Sequence, residues 1–554
     1  MTDMKKIGLC CFCLILPVLC LAALSGAPEL YFCNVTGVNA ISQNNVKTIC
    51  QDSYGFMWFG TKNGLNRYDG YRFRKFDVED PVKHCGNNNV GVLYEDANKI
   101  LWVGTDKGVY HFDPVKERFR FVDLPAQDSV RMGDWVSAIE GDKNGQIWIV
   151  IPNQGVFRYD EDECRLYHYP FREDSKKLGR DESTPQTLCI RSNGEVWIGS
   201  NRMGLFKYDP EKDRFDQWLT DAYGNTVQGD NIYTMCEYGD ALVIGVHEGM
   251  LKKWDLKANR ISVFDTPQIH YKIIRCVKCY DRRHILVATQ DGLYIVNERE
   301  GAVYHYCEDD LNPYGLSDNN VFTIYEDREG GIWFGSLFGG VDYLPKRAYT
   351  FRKYFPVNSA GSIKGKRIRE MCEDSNGNIW IGTEDKGVNI FYPKQHVFKH
   401  IDNARSASRT NLALMADGDQ VYVGIFKSGM EAYSIDTYNS RFYSGKDLNL
   451  LDESSVCALF KDSEGGYWLG NSWGVYYAPN ENFAFKRVDA FGDAYIHDIA
   501  EDRNRNIWIA TMGNGVMCYN LDAKQVRTYT ENPEDSLSLS SNSVSSITIG
   551  RKGE

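Results

Sequence analysis

One short pattern of residues recurs along this chain, and its spacing constrains the fold more than any other feature. An apolar run holding a Trp stops at a Gly, a polar loop follows, and a second apolar run begins after another Gly. The central aromatic returns every 40 to 49 residues. A period in the forties built from short β runs is typical of β-propeller blades. We therefore predict an all-β chain of tandem β-propellers with four-stranded antiparallel blades. Clear copies are MWFGTKNGLNRYD from Met57, LWVGTDKGVYHFD from Leu101, VWIGSNRMGLFKYD from Val196, IWFGSLFGGVDYL from Ile332, IWIGTEDKGVNIFY from Ile379 and IWIATMGNGVMCYN from Ile507.

The residue at the central aromatic position allows the repeat units to be counted. Eleven full units are present, and a twelfth begins at SVSSITIG. Val243, Val287 and Tyr422 fill the position where a unit lacks its Trp. Because the indoles recur at one place in the unit, we interpret them as blade core and not as a ligand platform. The predicted core residues are Trp58, Trp102, Trp148, Trp197, Trp333, Trp380, Trp468 and Trp508.

A tight turn precedes the Trp strand in most units. It reads DSYG from Asp52, DKNG from Asp142 and DSNG from Asp374. An Asp that bonds to its own backbone and a Gly suit such turns. A calcium loop is the alternative, but it needs further oxygen ligands and a distal bidentate Glu, whereas DKNG runs directly into QIWIV. We therefore favour turns and predict neither a metal nor a cofactor.

Ring closure indicates the domain boundaries. The segment ELYFCNVTGVNAISQNN ahead of the first unit resembles a fourth strand without a blade of its own, so it can complete the last blade of a ring. Seven units then run to FGGVDYLPKR, and TFRKYF is the matching opening strand of a second ring. We predict a seven-bladed propeller at 29–346 and a second propeller at 347–554, incomplete in this sequence after about four and a half blades.

The first 28 residues resemble a leader. Two lysines precede an apolar stretch from Ile7 to Leu24, and small residues follow. This order predicts a signal peptide at 1–28. The stretch also approaches the length that spans a bilayer, so an uncleaved N-terminal anchor stays open. In both cases we expect the rest of the chain to be exported.

Twelve of the sixteen cysteines lie after the leader. Export permits disulfides, but Cys50, Cys189, Cys279 and Cys372 each fall eight residues before the Trp or its equivalent. That spacing assigns them to the same strand of different blades, too far apart to bridge one another, so we interpret them as buried free thiols. The pair Cys276 and Cys279 has no second pair in metal-ligand spacing, which argues against a zinc or redox site.

The charge of the chain excludes one class of partner. The net charge is −12 and no block of basic residues occurs. Phosphate backbones require a basic footprint, so nucleic acid is not an expected partner of this segment.

The units resemble the two-component regulator propeller repeat. The residues that carry the resemblance are NNVFTIYEDREGGIWFGS, RIREMCEDSNGNIWIGT and SSVCALFKDSEGGYWLGN. The likeness extends over essentially the whole chain after the leader. Units five, six and nine depart from it by lacking the Trp, and unit three has Val150 where Gly is usual.

The resemblance implies a sensor. In that family, paired seven-bladed propellers form the periplasmic part of hybrid sensor histidine kinases of Bacteroidetes, which recognise oligosaccharides and switch on genes for glycan use. It further implies a homodimeric parent in the inner membrane, held there by a later span or by the leader. The sequence ends inside a propeller, so kinase activity is expected only of a longer parent.

Two other functions stay open. Some propellers are glycosidases or polysaccharide lyases, and glycoside hydrolysis needs two placed carboxylates. Most Asp residues here are explained by repeat turns, and no nucleophile, zinc or Ser/His/Asp motif stands out. A protein-interaction scaffold is the other alternative. We expect the segment to act by binding, with no catalytic residue.

Candidate ligand contacts lie in the loops that enter the inner strands and between the second and third strands. These loops share one propeller face and vary most among the units, so selectivity can change there without harming the core. Sugars favour aromatic platforms beside planar hydrogen-bonding groups. The candidates are Arg131, Trp135, Tyr223, His270, Tyr271, Phe338, Lys366, Arg367, Arg405, Arg409 and Trp473.

Overall fold

The structure is a computed structural model that describes residues 30–35, 41–171, 184–281, 283–346, 351–357, 361–401, 408–450 and 455–554. The predicted leader and Arg405 lie outside the described residues. Two compact units divide the chain, Met1–Ala348 and Tyr349–Glu554. Nearly all regular structure is β, as predicted.

The described part of the first unit contains seven four-stranded antiparallel sheets, which we number as blades in chain order. A two-stranded hairpin and a 3-10 turn, Pro267–Ile269, accompany them. From inner to outer strand, the blades are blade 1 (Val46–Gln51, Met57–Thr61, Gly64–Tyr68, Phe73–Phe76), blade 2 (Val90–Glu95, Leu101–Thr105, Gly108–Asp113, Arg118–Phe121), blade 3 (Ala138–Gly141, Ile147–Ile151, Gly155–Asp160, Arg165–Tyr169), blade 4 (Pro185–Ile190, Val196–Ser200, Leu205–Asp209, Arg214–Trp218), blade 5 (Ile232–Tyr238, Ala241–Val246, Met250–Asp255, Arg260–Val263), blade 6 (Ile274–Cys279, His284–Thr289, Gly292–Asn297, Ala302–Tyr306) and blade 7 (Val321–Glu326, Ile332–Ser336, Val341–Leu344, Cys33–Asn34), with the hairpin at Glu79–Asp80 and Cys85–Gly86.

The second unit contains four further sheets of the same kind within its described residues, together with a 3-10 turn, Asp489–Phe491. They are blade 8 (Ile368–Glu373, Ile379–Thr383, Val388–Tyr392, Val397–Ile401), blade 9 (Asn411–Asp417, Gln420–Ile425, Gly429–Ser434, Ser440–Ser444), blade 10 (Ala458–Lys461, Tyr467–Asn471, Gly474–Ala478, Lys486–Arg487) and blade 11 (Ile496–Glu501, Asn506–Thr511, Val516–Asn520, Gln525–Tyr529).

The N-terminal strand closes the first unit. The inner strand of each blade contacts that of the next, and the inner strand of blade 7 contacts that of blade 1. Cys33 pairs with Tyr343 and Asn34 with Asp342 as the outer strand of blade 7. The prediction that the N-terminal segment supplies the fourth strand of the last blade is confirmed.

A hydrogen-bonded turn links the Asp and the Trp of the repeat. In blade 1, Asp52 Oδ1 accepts the backbone N–H groups of Tyr54 (3.0 Å) and Phe56 (2.9 Å), and Oδ2 accepts the indole N–H of Trp58 (2.7 Å). Gly55 has φ of +97° at the same turn, a conformation that favours glycine. The turn interpretation is confirmed. The indole bond recurs in Asp96–Trp102 (2.7 Å), Asp142–Trp148 (3.0 Å), Asp327–Trp333 (2.8 Å), Asp374–Trp380 (2.9 Å), Asp462–Trp468 (2.9 Å) and Asp502–Trp508 (2.8 Å).

The hydrophobic core lies between successive blades. Trp58 packs in one cluster with Val90 and Leu101 of blade 2, and Trp380 packs with Leu414 and Val421 of blade 9. Trp508 of blade 11 is half-buried and stacks on Tyr529. The other seven predicted core indoles are buried: Trp58, Trp102, Trp148, Trp197, Trp333, Trp380 and Trp468.

Blades that depart from the repeat compensate locally. Blade 4 has Arg191 in place of the turn Asp. Glu195 replaces that Asp as the acceptor of the Trp197 indole N–H (3.4 Å), and its carboxylate also binds the Arg191 guanidinium (2.6 Å). Blade 5 lacks the Trp in its second strand and instead buries Trp254 of its third strand, whose indole donates to Asn259 (3.1 Å). Sequence periodicity did not identify either replacement.

The pairing of blade 6 corrects one alignment. Ala288 pairs with Cys276 as Gly60 pairs with Thr48 in blade 1, so Leu286 and not Val287 holds the Trp position. Cys279 therefore lies one residue beyond the place of Cys50. The assignment of Cys279 to the strand position of Cys50 was therefore wrong, and its Sγ lies 2.7 Å from Sγ of Cys236 in blade 5, a cysteine outside the predicted set.

We expect Trp380→Ala to lower the free energy of unfolding of the second unit by about 3–5 kcal/mol, because it empties a buried layer between two blades. Urea denaturation of the exported chain, with hydrogen exchange of blade 8 amides, measures the loss. Trp473→Ala is the matched control: that indole is 58% exposed, so its loss should change stability by less than about 0.5 kcal/mol. Equal effects of the two substitutions would contradict the packing account.

Candidate functional site

Two sets of connections form one end of the blades, which we call the entry face. Strands of an antiparallel blade alternate in direction, so the loop into the inner strand and the turn between second and third strands lie at the same end. Hydrogen bonds join them between blades: Gly64 N–H donates to the Asn88 carbonyl (2.7 Å), and Gly108 N–H donates to that of Asp134 (3.1 Å). In blades 1 to 3, the entry loops of neighbouring blades are therefore joined to one another.

A β-bulge interrupts most inner strands just after they leave the entry face. In the first unit the register shifts in blades 1, 2, 4, 5, 6 and 7, each time skipping one residue. A bulge leaves the extra residue unpaired and re-aims its side chain, often beside a functional site. The skipped residues are Lys47, Gly91, Gln186, Tyr233, Arg275 and Phe322.

The inner strands of the first unit contact one another in a closed ring, and we call the entry-face end of that ring the channel mouth. The bulged side chains bring aromatic rings and cations to this end. The Arg275 guanidinium lies 4.7 Å from the ring centre of Phe322 in the next blade. Tyr233 is 40% exposed and packs against His247, with ring centres 4.7 Å apart. Lys47 Nζ donates to Asn89 Oδ1 (2.9 Å) at the entry to blade 2.

Trp135 belongs to the same rim. Its indole is 41% exposed and precedes the inner strand of blade 3. A Cβ added at Gly91, the bulged residue of blade 2, would lie 3.9 Å from Trp135 Nε1, so the glycine and the indole are neighbours. We define the channel-mouth cluster as Lys47, Trp135, Tyr233, Arg275 and Phe322.

The two cations of the cluster are partly buried. Burial lowers the pKa of Lys47, with Asp106 acting in the opposite direction. Burial also lowers the pKa of Arg275, opposed by Tyr233. Arg275 Nε is buried and has no hydrogen-bond acceptor among the described residues. A charge that has lost water in this way favours an anionic or strongly hydrogen-bonding partner.

The second unit repeats this arrangement in part. Register shifts in its inner strands skip Arg369, Leu412 and His497. Burial lowers the pKa of His497, and the nearby charge of Arg369 lowers it further. A separate cleft of about 380 Å³ opens beside blade 8, where the cationic lining residues are Lys364, Lys386 and Arg409.

The residues proposed from the sequence are spread over both units. Trp135 belongs to the channel-mouth cluster, and Arg409 lines the cleft beside blade 8. Arg131 is paired with Asp123 of its own loop. Tyr223 lies against the outer strand of blade 5, with the Arg260 guanidinium 5.6 Å from its ring centre, and not at the channel mouth.

The remaining proposed residues are exposed on entry loops. His270 and Tyr271 adjoin each other, with ring centres 6.4 Å apart. Arg367 lies 3.7 Å from Glu384. The exposed set comprises His270, Tyr271, Phe338, Lys366, Arg367 and Trp473.

Sequence reasoning missed four members of the cluster, Lys47, Tyr233, Arg275 and Phe322. A signal was present: these residues directly follow the apolar residue that opens each inner strand, and they differ among units whose flanking residues repeat. We read them as ordinary strand residues because a bulge leaves no mark in the hydrophobic pattern.

Two kinds of feature are absent from the described ranges. No group of three or more His, Cys, Asp or Glu residues there is placed to hold a metal ion. No helix in that part of the chain is long and apolar enough to cross a membrane.

Comparison with known protein families identifies the repeats. Five segments match the family model described as two component regulator propeller, at 40–63, 86–107, 315–338, 362–385 and 490–513. No curated protein matches the chain.

Two solved structures are similar to the chain. The chain is similar to the extracellular domain assigned to the hybrid two component system BT3049 of B. thetaiotaomicron, with 21% identity and a TM-score of 0.66, over 95% of this chain and 69% of that one. It also matches the extracellular domain assigned to the hybrid two component system BT4673 of the same organism, with 17% identity and a TM-score of 0.48, over 95% of this chain and 81% of that one. At 21% identity, the first likeness establishes a shared propeller fold.

Glu140 on the inner strand of blade 3 gives a pH-dependent prediction. Its Oε2 accepts the Ile190 N–H (3.0 Å). Burial raises the pKa of Glu140 to about 7 from an ordinary 4.5, while the hydrogen bond and Lys278 act to lower it. Below the ordinary pKa both the native and unfolded states hold the proton. Between pH 4.5 and about 7 the unfolded chain releases this proton while the native state keeps it. The free energy of unfolding therefore falls by up to about 3 kcal/mol across this range.

We therefore expect Glu140→Gln to remove this loss, leaving stability at pH 4.5 nearly unchanged and raising it at pH 8. Free energies of unfolding from urea titrations at the two pH values measure the difference. Glu211→Gln, at an exposed position, is the control and should follow the wild type at both. A wild-type pH slope in Glu140→Gln would show that this carboxyl is not the titrating group.

Proposed function

The chain carries two component regulator propeller repeats, and on that premise we propose that it is the exported, periplasmic ligand-sensing part of a two-component regulator. In this proposal the channel-mouth cluster binds an oligosaccharide, and binding rather than catalysis is the signal. A longer homodimeric parent in the inner membrane supplies the histidine kinase and controls genes for glycan use.

The observation that carries the proposal is the contrast between core and bulge. The repeat keeps its Asp, Trp and Gly where blades pack, yet at the bulged position it changes among Lys, Gly, Gln, Tyr, Arg and Phe. Rigid elements that present variable side chains suit selective binding. Exposed rings such as Tyr233 and Trp135 offer flat apolar surfaces for sugar rings, and a guanidinium offers planar donors for their oxygens.

The charge of the cluster favours an acidic ligand. Arg275 pairs with no carboxylate among the described residues, and its Nε is buried without a hydrogen-bond acceptor there. A carboxylate or sulfate group on the sugar would restore the lost interactions with two charge-assisted hydrogen bonds. We therefore propose an oligosaccharide that carries acidic groups.

Two alternatives make different predictions for the same experiment. A glycosidase or lyase would cleave the sugar, although the channel-mouth cluster itself contains no pair of carboxyl groups such as glycoside hydrolysis requires. A protein-interaction scaffold would bind none of the sugars. Product analysis after incubation separates cleavage from saturable binding without turnover.

We expect calorimetry with hexuronate-containing oligosaccharides and their neutral counterparts to detect binding of an acidic member by the exported chain. Arg275→Gln and Tyr233→Ala should each weaken that binding by at least about tenfold, which corresponds to about 1.4 kcal/mol, and Trp135→Ala should weaken it in the same direction. Tyr71→Ala is the control, because Tyr71 is 88% exposed between the third and fourth strands of blade 1, at the opposite end of the blade. A confirmed ligand that binds all variants with wild-type affinity would exclude the channel mouth.

A further inference from the structure

Two cysteines from neighbouring blades meet inside the first unit. Sγ of Cys236 and Sγ of Cys279 lie 2.7 Å apart, although the residues are separated by 43 positions in sequence. Cys236 lies on the inner strand of blade 5 and Cys279 on that of blade 6. Both are thiols in this structure.

The pairing register explains why these two side chains meet. Cys236 pairs with Val243, the residue at the Trp position of blade 5. Cys279 pairs with Ile285, one residue before the Trp position of blade 6. The two cysteines therefore differ by one position along their strands. Neighbouring residues of a strand point to opposite faces. Cys236 thus faces the following blade and Cys279 the preceding one.

Side chains at the position of Cys279 in other blades also point toward the preceding blade. Gln51, which matches Cys279, has its Nε2 3.4 Å from Glu329 of the preceding blade. Glu237, also at that position, accepts the Ser192 N–H of the preceding blade (2.7 Å). The interblade contact is thus a regular feature of the ring, and only its chemistry changes at blades 5 and 6.

Within the first unit, two other cysteines occupy the position of Cys236, and both have a carboxylate in place of a thiol partner. The residue of the following blade at the place of Cys279 is Glu95 beside Cys50 and Glu237 beside Cys189. Burial raises the pKa of both thiols, and the charge of the neighbouring carboxylate adds to the rise. A carboxylate cannot form a disulfide. Cys50 and Cys189 are therefore internal controls for the pair.

We propose that Cys236 and Cys279 form a disulfide bond in the exported protein, joining the inner strands of blades 5 and 6. A disulfide is about 2.05 Å long, so the sulfurs need only a small approach. Oxidation removes one proton from each thiol and passes two electrons to the disulfide of a thiol-exchange protein, through a mixed disulfide, and that protein leaves as a dithiol. The exported compartment is where such oxidants act.

The bond also bears on the candidate site. Tyr233 and Arg275 lie on the same two inner strands, three and four residues before the cysteines. A bond between these strands fixes the separation of the two bulges at the channel mouth. This consequence rests on the proposed function, whereas the bond itself rests on the geometry and on export.

Mass spectrometry on the wild-type protein tests the bond without any variant. The full chain is produced with its leader in an oxidising periplasm, denatured without reductant, alkylated with iodoacetamide and digested. We expect a linked peptide that contains Cys236 and Cys279, with neither residue alkylated, and alkylation of Cys50 and Cys189. Alkylation of both Cys236 and Cys279, or a link from either to another cysteine, would overturn the proposal.

Variants provide an independent readout. Cys236→Ser should expose Cys279 to alkylation, whereas Cys189→Ser should leave the linked peptide intact. Dithiothreitol should lower the melting temperature of the wild type and leave that of the double variant Cys236→Ser/Cys279→Ser unchanged. An equal dithiothreitol shift in wild type and double variant would contradict a stabilising bond here. None of these readouts depends on ligand binding, so their failure is distinguishable from failure of the proposed function.

Discussion

A buried aspartate that serves both a turn and an indole is the interaction on which the blades depend. In blade 8, Asp374 is buried and its carboxylate takes hydrogen bonds from the backbone of the turn and from Trp380. Burial acts to raise the pKa of Asp374, but the hydrogen bonds of Trp380 and Asn378 outweigh it and lower the pKa. One side chain therefore closes the hairpin and fixes the indole that the next blade packs against. A buried charge is tolerable only because its hydrogen bonds are satisfied.

Because the Asp and Trp residues hold the blades together, the residues of the entry face can vary. The interblade layers fix the position of each inner strand, and the bulge then displays one side chain whose identity the core does not restrict. Arg275 and Phe322 meet across two blades in this way. A ring of such positions can therefore carry a different side chain in each blade while the core stays the same.

The same geometry governs the contacts deeper in the channel. Positions at the ends of the inner strands face the preceding blade, so Gln51 and Glu237 form polar contacts there and Cys279 meets a thiol. Glu140, one position earlier on its strand, instead accepts a hydrogen bond from Ile190 of the following blade. Strand parity thus decides which neighbour each inner side chain reaches.

The sequence alone determined the repeat, the propeller fold, the Asp turns and the role of the N-terminal strand, because each depends on residues a few positions apart or on a fixed period. Trp58 and Asp52, for example, are six residues apart and meet within one hairpin. The site was only partly accessible: Trp135 was found because it breaks the pattern in a loop, whereas Tyr233 and Arg275 look like ordinary strand residues. Only the tertiary structure decided that bulges bring Tyr233 and Arg275 to the channel mouth and that Cys236 faces Cys279. It also decided that Tyr223 lies against the outer strand of blade 5. The reason is that these contacts join neighbouring blades, as Cys236 and Cys279 do across 43 positions of sequence, and a local pattern carries no record of which faces meet.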